Sequence, residues 1–560
     1  MTQILQNDYN TDSFFHPDVN VNFQTSLDLP VTLKLSEEIK ETDISFTVIK
    51  AVEDSGIVRF VTSKGRTYHG YSSLDMLKAV ILSHTLSGSV SLRDMEENVR
   101  NDIRFRLIFK EGHTPSFMSF QRFLNENLKE NVDVILAELN KYFLKEAGEF
   151  IDTDYETIDG TKEEADANKM SFVWRRASEK YYVKTYRKLD DLIKELIAYF
   201  NERNIVHHLS ILRKYDLAYM MEIADFIRQY VNDNKVVFVY GKGSKKSLIQ
   251  KMYESIRDLA ISIWKYEIHF DILEDRNSFS KSDPDATFMH MKYDYYNHTN
   301  VFKPGYNVQF GNCSGFIWDI YISDDCNDLN TYIPLMEKHY TNYGSYPLKT
   351  PADAGYGSYD NYKFCKDHGI ELYMKYSGYE KKREKISDKN RFKAIHFLKD
   401  ENGFPVCPAG YSFRLEKERI EKRGIYERKM ETLVNDHCEG CPLKSKCTKS
   451  KSNQRRINRC TELDEWQKEV DENLSSLEGR RLMEERAIYS EGFFGDKKSN
   501  WKYDRLRRIG ESGVKMEIYL YAYGKNMRRF HEVYWKKKTL ERESLSNLIE
   551  FARKHKPSKQ

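Results

Sequence analysis

No stretch of this 560-residue chain reaches the roughly 18 consecutive apolar residues that a membrane-spanning helix requires. Met1 to Asn20 is polar, carries Asp8 and Asp12, and lacks the basic-then-apolar pattern of a secretory signal. It reads as a mobile tail on a cytoplasmic protein. Cysteine is scarce, at eight residues, too few for a disulfide scaffold in a chain of this length. Internal repeats are absent, and so is a large overall charge, the net being only +3.

That small net charge hides an asymmetry. From Lys497 onward 18 Lys and Arg face 7 Asp and Glu, a local balance of +11 that leaves −8 for the remainder. A basic C-terminal segment on a mildly acidic body fits a polyanionic partner or a solvated helical face. With 40% hydrophobic and 31% charged residues, the chain is long enough for three or four globular domains. The cysteines are also unevenly placed. Cys407, Cys438, Cys441 and Cys447 fall within 41 residues, a spacing that fits a tetrahedral zinc site or a set of reduced structural thiols. Cys460 or His437 are alternative ligands.

Along the chain, residues 21–66 contain β-branched runs such as Ile44–Ile49 and Ile57–Val61, and form a lead-in. Residues 70–130 carry helical spacing: Leu74, Leu77, Val80, Ile81 and His84 share a face, and Ser91 with Asp94 makes a capping box. Thr114-Pro115 is read as a helix start ahead of Phe117, Phe120, Phe123 and Leu124. Gln121, Arg122 and Asn125 would then face either a DNA groove or plain solvent around a Phe-rich bundle. Residues 177–270 are mostly helical, interrupted by Val236–Tyr240, which has strand character. Gly305–Phe310 and Phe316–Ile322 read as a hairpin, followed by a helix near Tyr332–Tyr340 and a strand at Ile370–Met374.

Three acidic residues stand at suggestive points. Tyr155–Ile158 is a short strand that ends in Asp159, followed by Gly160. Tyr346–Thr350 extends toward Pro351-Ala-Asp353-Ala-Gly355-Tyr-Gly357, where the backbone turns and Ser358 caps a helix over Tyr359–Asp367. Asp353 is thereby placed at the C-terminal edge of a strand, where open α/β sheets put their chemistry. A helix from Ser476 carries Glu491, with Lys498 seven residues on, and leads into the basic Trp501–Arg508 segment. Aromatics interleaved with Lys and Arg suit stacking and phosphate contact. Each signal alone is weak.

Taken in order they are specific. Ile158-Asp159-Gly160-Thr161-Lys162 is followed by Asn168-Lys169 and Phe172-Val173-Trp174, then by Asp283-Pro-Asp-Ala-Thr287 and Lys303-Pro-Gly-Tyr-Asn307. Ala352-Asp353-Ala-Gly-Tyr-Gly-Ser358, the Cys438-x2-Cys441-x5-Cys447 set and Glu491-Gly492-x-Phe494-Gly495-x2-Lys498 complete the series. From about residue 70 to about 530 the chain resembles the DDE transposases of bacterial insertion sequences, in the long-chain branch with a helical N-terminal domain and a cysteine-bearing insert.

The resemblance implies an α/β fold built on a ribonuclease-H-like mixed sheet. It makes Asp159, Asp353 and Glu491 the ligands of two Mg²⁺ ions, with Mn²⁺ as a substitute. Two such ions activate the nucleophile and stabilise the leaving oxygen in phosphodiester chemistry. Lys162, Lys498, Arg486, Arg505, Arg507 and Arg508 are the candidate phosphate contacts, and Trp174 reads as core. Relatives often carry Tyr-x2-Arg-x3-Glu-x6-Lys. Here Ala487 and Glu484 fill the Arg and Tyr positions, and Arg486 is the nearest replacement. The expected layout is a lead-in (1–66), a helix-turn-helix-like DNA-binding domain (67–148) and a catalytic core (149–375 and 477–530). A helical insertion (about 177–280), a cysteine-bearing insertion that is a candidate zinc site (376–476) and a basic tail (531–560) complete it.

The implied activity is cleavage at transposon ends and 3′-OH strand transfer, with double-stranded DNA (inverted repeats and target) as partner. A homodimer or larger assembly, nucleoid-associated in the cytoplasm, would carry it out. An inactivated, DNA-binding regulator and a structure-specific nuclease of the same fold are the alternatives.

Overall fold

The computed structural model describes residues 39–61, 71–109, 114–241, 243, 245–291, 301–388, 390–450, 452–495 and 505–554, with only the backbone path given for 490–495 and 545–554. At its centre, β1 (Thr157–Glu164) pairs antiparallel with β2 (Phe302–Cys313), Asp159 facing Phe310 across the ladder. β2 returns through Ser314-Gly315, both at positive φ, into antiparallel β3 (Phe316–Ser323). The expected hairpin is there, but its turn is two residues rather than a loop from Gly311.

On the other edge of β1 the chain 349–351 runs alongside, with Glu156 N–H donating to Lys349 C=O and Ile158 N–H to Pro351 C=O, both at 2.9 Å. It continues into β4 (Ala352–Gly357), which lies parallel to β5 (Met374–Tyr376). The central sheet therefore runs β3–β2–β1, with Thr287–His290 also paired antiparallel to β2, and the two-stranded β4–β5 sheet adjoins β1 through isolated bridges at Lys349. Both carboxylates expected at strand ends lie inside strands instead: Asp159 is the third residue of β1 and Asp353 the second of β4. Small residues that looked like a turn at 352–357 extend because β5 offers them a partner edge.

Two cores flank this sheet. One joins Phe310, Phe316, Trp318 and Ile320 to the helices before β1 and to the long helix Glu511–Lys554. The other packs Ile158, Ala352 and Met374 under the helices Tyr332–Tyr343, Tyr359–Asp367 and Thr461–Ser475. The Glu511–Lys554 helix is buried through Val533, so it crosses the expected boundary at 530 without a break.

Several local expectations change. Ile44–Asp54 is a helix rather than extended, because Val48, Ala51 and Val52 fall on one helical face and are fully buried. That periodicity outweighs the β-branched composition. The helix after Pro115 starts at Phe117, where Ser116 Oγ accepts from Ser119 N–H at 3.3 Å. Phe120, Phe123 and Leu124 are core, while Arg122 and Asn125 are exposed. The capping box of Ser91 and Asp94 and the Ser358 cap on Tyr359–Asp367 form as read.

The insert between β1 and β2 contains three helices, Arg175–Asn201, Leu217–Asp233 and Leu248–Leu273, around their own core of Leu189, Ile193, Ile223, Ile227 and Ile256. Val236–Tyr240 is not a strand. Its backbone is satisfied by a side chain, Val239 N–H and C=O both bonding Gln250 at 3.0 and 2.8 Å. Trp174 is 44% exposed rather than core, edge-on to Phe288 at 5.0 Å. The cysteine-bearing segment forms a three-stranded antiparallel sheet of Arg414–Lys422, Glu427–Asn435 and Arg455–Arg459.

Candidate functional site

The bonds tying β1 to the approach of β4 stop at Ile158 and Pro351, one residue before Asp159 and two before Asp353. The two carboxylates thus flank the point where the strands part. Asp159 Oδ1 accepts from Gly160 N–H at 3.0 Å and Asp353 Oδ1 from Gly355 N–H at 2.7 Å. These local bonds orient each carboxylate and leave acceptor capacity for a cation.

A third carboxylate joins them that the sequence did not reveal. Asp328, after β3, has Oδ1 accepting from Asn307 Nδ2 at 2.8 Å and Gln309 Nε2 at 3.2 Å. A Cβ at Gly355 would lie 3.0 Å from Asp353 Oδ1 and 3.4 Å from Asp328 Oδ2, so glycine keeps the space between them open. Buried Tyr356 donates to Gln309 Oε1 beneath. Burial, and then the fields of Asp328, Asp159 and Asp353, hold its phenol well above the usual range. Asp328 was hidden in an acidic loop, Asp324-Asp325-Cys326-Asn327-Asp328, indistinguishable from solvated surface.

The helix Leu477–Gly495 lies against this point. Arg486 Nη1 is 3.3 Å from Asp159 Oδ2, Tyr155 donates to Glu485, and Lys349 pairs with Glu478 at 2.5 Å. Glu491 is on the same helix, five residues and about 7.5 Å of rise beyond Arg486; its side chain lies outside the described residues, as does Lys498 altogether. The helix runs unbroken through Gly492. Lys162, half-buried, is three residues beyond Asp159 on β1.

The basic segment is used structurally in part. Arg505 donates to Ala165 and Ala167 C=O at 3.0 and 2.8 Å and pairs with Asp166, clamping the chain after β1. The backbone N–H groups of Arg507 and Arg508 are held by Glu517, and both arginines line a cavity of about 230 Å³ beside His84. Trp501 to Asp504 lie outside the described residues.

Cys407, Cys438, Cys441 and Cys447 come together around one small cavity with His437 and Arg455. Burial, then the other three sulfurs, push the Cys438 thiol up. Arg455 Nη1 stands 2.6 Å from Cys447 Sγ, and Tyr411 N–H donates to Cys407 Sγ at 3.4 Å. Cys460 is buried elsewhere, in the core with Trp466. N–H groups are directed at two of these sulfurs, Cys447 and Cys407, while Cys438 donates to Asn435 C=O; a thiophilic cation would be held by these four residues once their sulfurs close in on it.

A family model described as "Transposase DDE domain" matches residues 406–531. That span is similar to a transposase domain and holds the cysteine set, Arg486, Glu491 and the start of the last helix. Asp159, Asp328 and Asp353 precede it. No curated protein and no solved structure matches the chain. Among the described residues no helix is long and apolar enough to cross a membrane.

The hard oxygen donors fit Mg²⁺, which takes one or two carboxylates and completes its shell with water and phosphate oxygen. Arg486 already places positive charge beside Asp159, as the site's unbalanced acidity requires.

Proposed function

We propose that this chain is a DNA transposase that cleaves phosphodiester bonds at the ends of an insertion sequence and joins the freed 3′-OH to target DNA. The observation carrying this reading is the placement of Asp159 and Asp353 where β1 and β4 diverge, facing the helix of Arg486 and Glu491. The β3–β2–β1 ladder with the parallel β4–β5 pair beside β1 supports a ribonuclease-H-like core, and the matched span supports a DDE enzyme.

In this reading Asp159, Asp353 and Glu491 hold two Mg²⁺ ions, for which Mn²⁺ substitutes, and Asp328 supports Asp353. When bound, the ions supply nucleophile activation and charge stabilisation at the leaving oxygen. The chain's own groups position the DNA. Lys162, Lys498 and Arg486 contact phosphates flanking the scissile bond, Arg486 exchanging Asp159 for DNA. Arg507 and Arg508 add backbone contacts further out, and Arg505 holds the loop after β1 in place. Partners are double-stranded terminal repeats and target DNA, engaged by a homodimer or larger assembly in the cytoplasm, at the nucleoid.

In domain terms, 67–148 is the DNA-binding part, 149–375 with 477–530 the catalytic core carrying its helical insertion, and 376–476 a zinc-bearing insertion. Residues 531–560 supply a basic end. Incubation with end-containing duplex and Mg²⁺ tests the activity. Nicks at the element boundary followed by joined products are expected. Products unchanged by EDTA, or no nicking despite tight end binding, would replace the transposase reading with a contaminating nuclease or a regulator.

A further inference from the structure

Beneath the sheet three further side chains converge that the DNA chemistry does not use. Glu156 sits immediately before β1, Asp319 lies in β3, and His339 is in the helix Tyr332–Tyr343. All three are buried, and one ligand atom from each lies within 4.8 Å of the other two. His339 Nδ1 is 2.8 Å from Asp319 Oδ2 and 3.0 Å from Glu156 Oε2. A ring nitrogen carries one proton at most, so it donates along only one of these lines. Asp319 has a second donor, Asn342 Nδ2 at 2.8 Å on Oδ1. Glu156 has no donor besides the His339 ring: beyond that 3.0 Å contact neither of its oxygens is hydrogen-bonded, although the residue is 0% exposed. A carboxylate with so few partners at such depth is strongly unfavourable.

The surroundings are shaped to keep that carboxylate there. Gly311 on β2 faces it, and a Cβ at that position would fall 1.7 Å from Glu156 Oε1. Two carboxylates and a neutral imidazole total −2, which one divalent cation cancels while giving the orphaned oxygens a partner. An imidazole nitrogen among oxygen ligands selects the zinc or iron class over Mg²⁺, and Asn342 behind Asp319 is the orienting contact that bound metals usually have. We propose that Glu156, Asp319 and His339 bind a structural divalent transition-metal ion, separate from the Asp159–Asp353 site. Binding would displace the proton on Nδ1. This site does not depend on the DNA-cleaving reading.

The test uses the full chain carrying Cys438→Ser, Cys441→Ser and Asp353→Asn, which breaks up the thiol set and removes a carboxylate from the Asp159–Asp353 site. After exposure to Zn²⁺ and exhaustive dialysis, elemental analysis should find about one ion per chain, and X-ray absorption a shell of oxygen and nitrogen only. Adding His339→Gln, or separately Asp319→Asn, should remove that ion while circular dichroism stays unchanged. No retained ion, retention indifferent to both substitutions, or a sulfur-containing shell would overturn the site. In the first case a proton shared among the three groups is the remaining description. If His339→Gln fails to fold, the absorption shell of the parent decides alone.

Discussion

Arg486, on the helix that carries Glu491, stands 3.3 Å from the Asp159 carboxylate on β1. Both side chains are largely buried, at 18% and 21% exposure, so the pair is less screened than a surface ion pair. Metal binding at Asp159 must therefore compete with a guanidinium already there. Arg486→Gln should tighten Mg²⁺ binding to the DNA-free protein several-fold, read by calorimetry, while weakening DNA binding and lowering its salt slope by about one. Weaker Mg²⁺ binding in this variant would mean that Arg486 supports the metal site instead of competing with it.

Asp328 gives a second prediction. Its carboxylate is fixed by Asn307 and Gln309 and points into the gap at Gly355 that Asp353 also faces. Asp328→Asn should leave the fold intact but reduce Mg²⁺ affinity by about 10–100-fold, the usual range for a residue supporting a metal ligand. Cleavage that saturates at the same Mg²⁺ concentration as the parent would remove Asp328 from the site.

How much of this was legible is clearest at Asp159 and Asp353. Their identity came from short motifs, because a small residue after a strand acid is a local signal. Their position relative to strand ends did not, since extension of 352–357 depends on β5, some twenty residues on. Asp328 had no local signal; only the folded β2 edge, through Asn307 and Gln309, distinguishes it from surface acid. Val236–Tyr240 shows the converse, a β-like composition overridden by one glutamine side chain. The cysteine set was readable from spacing, and its convergence needed no long-range knowledge beyond that sheet. Glu156, Asp319 and His339 are spread over three elements and were invisible until those elements packed.

His84 makes the stability pH-dependent on the acid side. Burial first, and then Arg508 and Arg507, depress its imidazole to about 4 from an ordinary 6.5, although its Nδ1 bond to Gly88 C=O at 2.7 Å opposes this. The unfolded chain binds that proton more readily, so this contribution is fully present above pH 6.5 and is lost as pH falls through 4. It amounts to roughly 3 kcal/mol at most. Urea unfolding at pH 7 and pH 4 should show a loss on acidification that is smaller in His84→Gln. An identical loss in both would assign the acid sensitivity to other groups.

The thiol cavity predicts a metal requirement confined to one region. Zinc removal by a strong chelator, or Cys441→Ser, should expose the amides of Arg414–Lys422 and Glu427–Asn435 to hydrogen exchange while β1 and β2 stay protected. Unchanged exchange in that sheet, with no zinc in the purified protein, would leave the four residues as reduced thiols.

The account turns on Asp159, Asp353 and Glu491 serving one metal-dependent reaction. The most direct measurement is the single-turnover cleavage rate of end-containing DNA for Asp159→Asn, Asp353→Asn, Glu491→Gln and the Asp159→Asn/Asp353→Asn double variant, with DNA binding measured alongside. The prediction is a loss of at least about a hundredfold in each single variant, no further loss in the double, and unimpaired DNA binding, because groups acting as a unit are non-additive. Parent-like cleavage by any one of the single variants would contradict it.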